Sequence, residues 1–404
     1  MPPQYTTRSA IECADECERR RYFNYFAYGG GIVPIGEYIP FATGTAIHRG
    51  TETLFDASGL GNAITNSLDS FTTQLGEKGL LGEDETQADY TRQEQAALIE
   101  ALLRVWALKE YTLLVRRFNI LKVEKEHQLP LDKNGDLILL SKPDAVLEDK
   151  ESGDLLVYSL KSIKEWYQRQ EDSYMVDLQG LTEALAVTVC DKIKVSATKF
   201  CFLVKGKRYE ERKEILQSGT IAQKSTWWTA SPLISGYIHT KADGGHTFAH
   251  SNKTINPENI SGFGRLGKGF TKFKVWETKG GVKAWIQLLN TGQVQPELGD
   301  VLKAQVITPV EAHRTRAQLQ STYTQIAASE KRIFENFKIL KNGGNIDKCF
   351  PMRRRSCYFP SSCDYLKICP NGNKDYDPRI AEDPIGSGLF GSREPHYETE
   401  RITE

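Results

Sequence analysis

The chain has 404 residues, 39% apolar and 26% charged, with 52 basic side chains balanced by 52 acidic ones. This balance excludes recognition of a polyanion through bulk charge, so any nucleic-acid site must come from local patches. No apolar run approaches the roughly 18–20 residues of a membrane span, and no apolar export signal follows Met1. The eight cysteines therefore read as thiols or metal ligands in a cytoplasmic protein, not as a disulfide framework.

At this length a core plus an insertion is expected. Residues 8–27 read as a helix in which Arg19, Arg20 and Arg21 run into Tyr22 and Phe23, and Gly29–Gly31 ends it. A second helix starts near Thr43–Gly44 and carries His48 and Glu52 on one face. From 88 to about 118 the apolar residues Leu98, Leu102, Val105 and Trp106 recur at helical spacing. Three short strands follow at 119–129, 136–147 and 154–161, separated by hairpin signals. A helix over 172–190 and a strand over 197–205 complete an α-β-β-β-α-β order, which predicts an α/β core with a mixed sheet flanked by helices over residues 1–205.

Residues 206–300 are rich in Gly, Ser, Thr and Lys and read as a strand-and-loop insertion. Within it, Lys268, Lys272 and Lys274 alternate with Phe270, Phe273 and Trp276, a pattern suited to single-stranded nucleic acid. A charged hairpin face explains the same pattern. The run Gly262 to Lys268 approaches a phosphate-binding loop, but Gly269 stands where Ser or Thr must bind magnesium, so no ATP motor is expected. A long helix over 309–339 and a cysteine-bearing segment occupy 301–375, and 376–404 reads as a flexible tail.

Two constellations carry chemistry. In the first, the turn near residue 151 sets Asp144 opposite Tyr158 or Ser159, and alternation puts Ser159 and Lys161 on one face. A carboxylate and a lysine this close suit cation-assisted hydrolysis of a phosphodiester. In the second, Cys17 is joined by Cys357, Cys363 and Cys369 in a C-x5-C-x5-C spacing. Structural zinc favours pairs two to four residues apart, whereas iron–sulfur clusters accept four cysteines with varied spacing. Zinc in the same ligands, or Cys349 in place of Cys357, remains an alternative. Closure of such a clasp would bring Arg19–Arg21 beside Arg353, Arg354 and Arg355 as a phosphate-binding patch.

In the order of these parts, over most of 10–205 and 345–370, the chain resembles the RecB branch of the PD-(D/E)XK nucleases of phage or prokaryotic type. The resemblance implies a restriction-endonuclease-like fold whose ends are joined by a [4Fe–4S] cluster on Cys17, Cys357, Cys363 and Cys369. It implies Mg2+ or Mn2+ held by His48, Asp144 and the Leu160 carbonyl, with Lys161 supporting the nucleophile and Gln179 orienting the substrate. Ser159 stands where the family has an acid, and Glu183 where it has a tyrosine, so Glu183 or Glu126 is expected to supply the missing carboxylate. The implied activity is a DNA nuclease, an exonuclease or single-strand-preferring enzyme of recombination, repair or phage DNA processing. The alternative is a DNA-binding scaffold that has lost cleavage and works with a helicase, integrase or recombination partner.

Overall fold

The computed structural model describes residues 3–35, 39–76, 95–163, 166, 170–204, 306–358, 362–370 and 374–394, except 97 and 101, together with 397, 399 and the backbone of five strands between 208 and 278. Strand β1 (Gln4–Thr7) runs directly into helix α1 (Arg8–Glu16), where the Thr7 hydroxyl accepts from the Ala10 amide. The helix expected over 8–27 is split. Cys17 takes an extended backbone (φ −164°, ψ 117°) between α1 and α2 (Glu18–Tyr25), which presents its thiol at a helix start. Strand β2 (Ile32–Pro34) and helices α3 (Ile39–Phe55) and α4 (Leu60–Gly76) follow. The described residues of 95–117 are helical, ending in α5 (Thr112–Arg117), and Leu98, Leu102, Val105 and Trp106 are buried as their spacing requires.

The two strands expected over 119–129 and 136–147 each break, giving β3 (Phe118–Val123), β4 (His127–Pro130), β5 (Leu137–Ser141) and β6 (Ala145–Asp149). They form one long hairpin that changes sheet halfway. On one side Pro143 has no amide to give to a ladder. Opposite it, Glu124 takes a left-handed backbone (φ 47°), which a regular strand does not allow. The outer half, β4 and β5, pairs with β1. The inner half joins β7 (Leu155–Ile163) and β8 (Val195–Val204) in the order β8-β7-β6-β3, with Val306–Ile307 beyond β8. β7 and β8 run parallel, connected through α6 (Gln170–Met175) and α7 (Leu178–Cys190), and β6 lies between β3 and β7, antiparallel to both.

Alternation along β7 divides the core in two. Leu156, Tyr158 and Leu160 face α3, α4 and the helical residues 98–106, whereas Val157 faces α7 and α8 (Arg316–Lys341). This is the mixed α/β sheet between helices that the element order predicts. Helix α8 starts at Arg316 and not near 309, because Ala312–His313 pairs with β8 and Thr315 then caps the helix in a reciprocal box with Gln318. In the insertion, Arg208–Glu210, Thr226–Trp228, Gly236–Thr240, His246–Ile255 and Lys272–Thr278 form an antiparallel meander in chain order.

The expected flexible tail is corrected over its described part. Pro378–Glu382 is helical, and Phe390–Ser392 pairs with β2, burying Phe390 against Tyr365 and Ile32. Among the described residues no helix is long and apolar enough to cross a membrane.

Candidate metal centre and thiol cluster

The break in the long hairpin creates the candidate centre. Ala145 pairs with Tyr158, which sets Asp144 level with Ser159, and the Leu160 amide donates to Asp144 Oδ2 at 2.5 Å. Across the hairpin, the Glu124 amide donates to the Asp144 carbonyl at 3.1 Å. Helix α3 supplies His48, whose Nδ1 lies 2.8 Å from Asp144 Oδ1. Gly44, one turn earlier, allows this approach: a Cβ there would already stand 3.3 Å from Ser162 Oγ on β7. Ligand atoms of His48, Glu124 and Asp144 all lie within 4.8 Å of one another, and no other described group of three His, Cys, Asp or Glu residues does so.

The electrostatics follow from this crowding. Burial acts to lower the His48 pKa, but the charge and hydrogen bond of Asp144, with Glu124 and Glu183 behind them, push it up to about 9. Burial and the Asp144 charge push Glu124 up to about 7, against the pull of Lys142, whose ammonium lies 2.6 Å from its carboxylate, and of His48. Burial alone would raise Asp144. His48 and the Leu160 amide outweigh it and hold the carboxyl below its ordinary range. An imidazole and two carboxylates form a donor set that fits a divalent cation.

The opposite face of β7 meets α7. Buried Ser159 accepts from Gln179 Nε2 at 2.8 Å, and the same amide reaches Glu183 Oε1 at 2.8 Å. Glu183 is buried, its Oε2 has no hydrogen-bond partner, and desolvation with the nearby Asp144 charge pushes its pKa up to about 8. Lys161 Nζ lies 3.3 Å from both oxygens of Asp177, the residue that caps α7 through the Gln179 amide.

The structure places both candidate carboxylates outside the close group. Glu126 accepts a hydrogen bond from the Thr399 hydroxyl. Glu124 is the acid that joins Asp144, while Glu183 lies behind it and outside the close group. A sequence signal for Glu124 existed: it and Asp144 are equidistant from Asn134 in the Asn-Gly turn, so a regular hairpin sets them opposite.

Cys17, Cys357, Cys363 and Cys369 line one cavity of about 20 Å3, together with Met352, Tyr365 and Leu366. No three of these thiols lie mutually within 4.8 Å. Four sulfurs at 2.3 Å around one zinc would sit about 3.8 Å apart, closer than these thiols stand as a group. Cys17 Sγ accepts from the Arg353 amide at 3.4 Å. Cys349 and Cys13 are buried but do not line this cavity.

The arginine patch is also corrected. Arg19 and Arg21 are each 1% exposed and held internally, Arg19 by Asp347 and the Phe350 carbonyl and Arg21 through Nη2 by Glu330 and Thr6, while Nε and Nη1 of Arg21 are buried without a hydrogen-bond partner. Neither can reach a phosphate. Arg20 pairs with Glu16 and Asp364, and Arg353 with the Asp15 carbonyl; Arg353, Arg354 and Arg355 are all exposed. Lys268 lies outside the described residues, as does the sequence resembling a phosphate-binding loop. Lys272 and Lys274 fall on the described strand Lys272–Thr278, where Lys274 pairs with His250.

No protein-family model matches the chain, and no curated protein matches it in sequence.

Proposed function

We propose that the chain is a metal-dependent DNA nuclease of the RecB-type PD-(D/E)XK kind, acting in the cytoplasm on single strands or DNA ends. The observation that carries this reading is the meeting of His48, Glu124 and Asp144 at the hairpin break, one strand from Lys161. Those three residues would hold Mg2+ or Mn2+. Such a cation supplies Lewis-acid polarisation of a phosphate and lowers the pKa of water. Lys161, held by Asp177, offers a fixed positive charge for the negative charge that grows on the phosphate in the transition state. Gln179 ties α7 to β7 through Ser159 and so fixes the wall of the site. Glu124, at the end of β3 beyond β6, replaces the acid that Ser159 lacks.

By donor type and number, the four thiols that line this cavity would hold a [4Fe–4S] cluster. Its role in this reading is structural, holding the C-terminal cysteines beside Cys17. A second reading keeps the fold and the cluster but not cleavage, as a scaffold for a helicase or recombination partner. The buried Ser159 hydroxyl, held by Gln179, favours it, since it offers a cation no carboxylate.

The test is cleavage of labelled single- and double-stranded DNA with Mn2+ by iron-loaded protein. Single strands should be cut, and Asp144→Ala and Lys161→Ala should each abolish cutting. No cleavage of any substrate at full iron content would leave the scaffold reading.

A further inference from the structure

The ammonium of Lys161 does not stand over polar surface alone. It lies 5.2 Å from the ring centre of Tyr174 and 5.5 Å from that of Phe200. Tyr174, on the short helix α6, packs on Phe202 with ring centres 4.2 Å apart. Trp166 packs on the same Phe202 at 5.0 Å and lies parallel to Tyr174, 6.0 Å away with planes 9° apart. Phe200 and Phe202 are buried floor residues of β8, while Trp166 and Tyr174 keep part of their surface exposed.

Two parallel, partly exposed rings on an aromatic floor, with a lysine ammonium over the Tyr174 and Phe200 rings, combine the two elements that single-stranded nucleic acid requires. The rings offer a stacking face, and the cation offers a partner for the adjoining phosphate. A duplex cannot use the rings, because its bases are already stacked and paired. We propose that Trp166 and Tyr174 are a base-stacking platform that takes one unpaired nucleobase next to the phosphate facing Lys161, and that this platform selects single strands. The proposal rests on the nuclease reading for the identity of the ligand, and it depends on binding alone, not on cleavage.

The test uses the full iron-loaded chain, Ca2+ in place of Mn2+ to suppress cutting, and a fluorescent oligothymidylate. A set of matching strands each carries one abasic position. In the native chain, one abasic position should weaken binding roughly tenfold, the scale of one lost base–ring contact. Trp166→Ala should weaken binding of the intact strand by a similar factor, Trp166→Phe should retain most of it, and duplex binding should change by less than about twofold. In Trp166→Ala the abasic penalty should vanish, since both changes remove the same contact. Equal binding of intact and abasic strands by the native chain would overturn the platform without recourse to any variant. An abasic penalty that persists undiminished in both Trp166→Ala and Tyr174→Leu would also overturn it. Failure to cut DNA with Mn2+ would count against the nuclease and leave the platform standing, if the abasic penalty is present.

Discussion

Glu124 and Asp144 face each other because they stand at equal distances from the Asn134 turn, at the point where Pro143 and the left-handed Glu124 interrupt the hairpin from its two sides. This makes the neighbouring acids separable by experiment. Glu124→Gln should weaken Mn2+ binding about tenfold or more, since it removes one of two carboxylate donors. Glu126→Gln should leave Mn2+ binding unchanged, because that carboxylate is turned to Thr399. Calorimetric titration of Mn2+ into the two variants compares them directly. Asp191, which caps the C-terminal end of α7, is a second residue with a readable effect. Burial alone would raise its carboxyl, but hydrogen bonds from Lys122, Lys125 and His127 hold it well below the usual range. The folded state therefore binds fewer protons there than the unfolded state. Its contribution is complete above roughly pH 4, the unfolded value, and is lost as the pH falls toward the folded one. Asp191→Asn should cost about 1–2 kcal/mol at neutral pH and flatten the decline of stability below about pH 4, as read from urea unfolding at several pH values.

Helix α7 connects the fold to the candidate site, since it carries Gln179 and is capped by the partner of Lys161. Its close fit on β8 depends on Gly180. A Cβ at that position would stand 2.6 Å from Arg314 Nη2, 2.7 Å from Phe200 Cζ and 3.0 Å from Thr198 Cγ2. The arginine tip cannot swing aside freely, because Nε donates to Thr198 Oγ1 at 3.0 Å and Nη1 to the Met175 carbonyl at 2.6 Å. Alanine gains about 1 kcal/mol of helix propensity over glycine, but a forced shift in a packed interior costs about 1–3 kcal/mol. The clash should prevail because two of the three contacts are with buried strand residues. Gly180→Ala should lower the unfolding midpoint and, by moving Gln179 off Ser159, reduce kcat more than it changes KM in the Mn2+ cleavage assay.

Across the whole molecule, side chains other than the thiols join the N-terminal helices to the C-terminal part. Arg21 of α2 and Glu330 of α8 meet at 2.9 Å with both side chains at most 1% exposed, while Phe26 packs against Phe334, Phe337 and Phe350. Arg21 also lies over the rings of Tyr25 and Phe26. Glu330→Ala leaves a buried guanidinium without its counter-charge and should cost about 3–5 kcal/mol. Iron content should remain as in the native chain. Cys363→Ser should have the opposite profile, with iron and acid-labile sulfide lost and cooperative unfolding retained, because the ion pair and the aromatic contacts do not depend on the thiols. Anaerobic metal analysis beside denaturant melts distinguishes the two profiles.

The parts legible from the amino-acid sequence were those written in local periodicity. The spacing of Leu98, Leu102 and Trp106 marks a helix, and the apolar alternation of β7 marks a strand with two faces. Counting across the turn at residue 151 brings Asp144 level with Ser159, one residue from Leu160, whose amide binds it. The cysteine spacing likewise pointed to thiols that the fold gathers around one cavity. Other features required the tertiary structure. Arg19 and Arg21 read as a phosphate-binding patch because an arginine has the same identity whether it is solvated or paired, and their partners Asp347 and Glu330 lie 328 and 309 positions away. The meeting of His48 with Glu124 and Asp144 depended on how helix α3 packs on the hairpin, and the order of the tail on a strand pairing between Phe390–Ser392 and Ile32–Pro34. Periodicity records which face of an element is apolar. It does not record which distant charge, ring or backbone edge will meet that face when the chain closes.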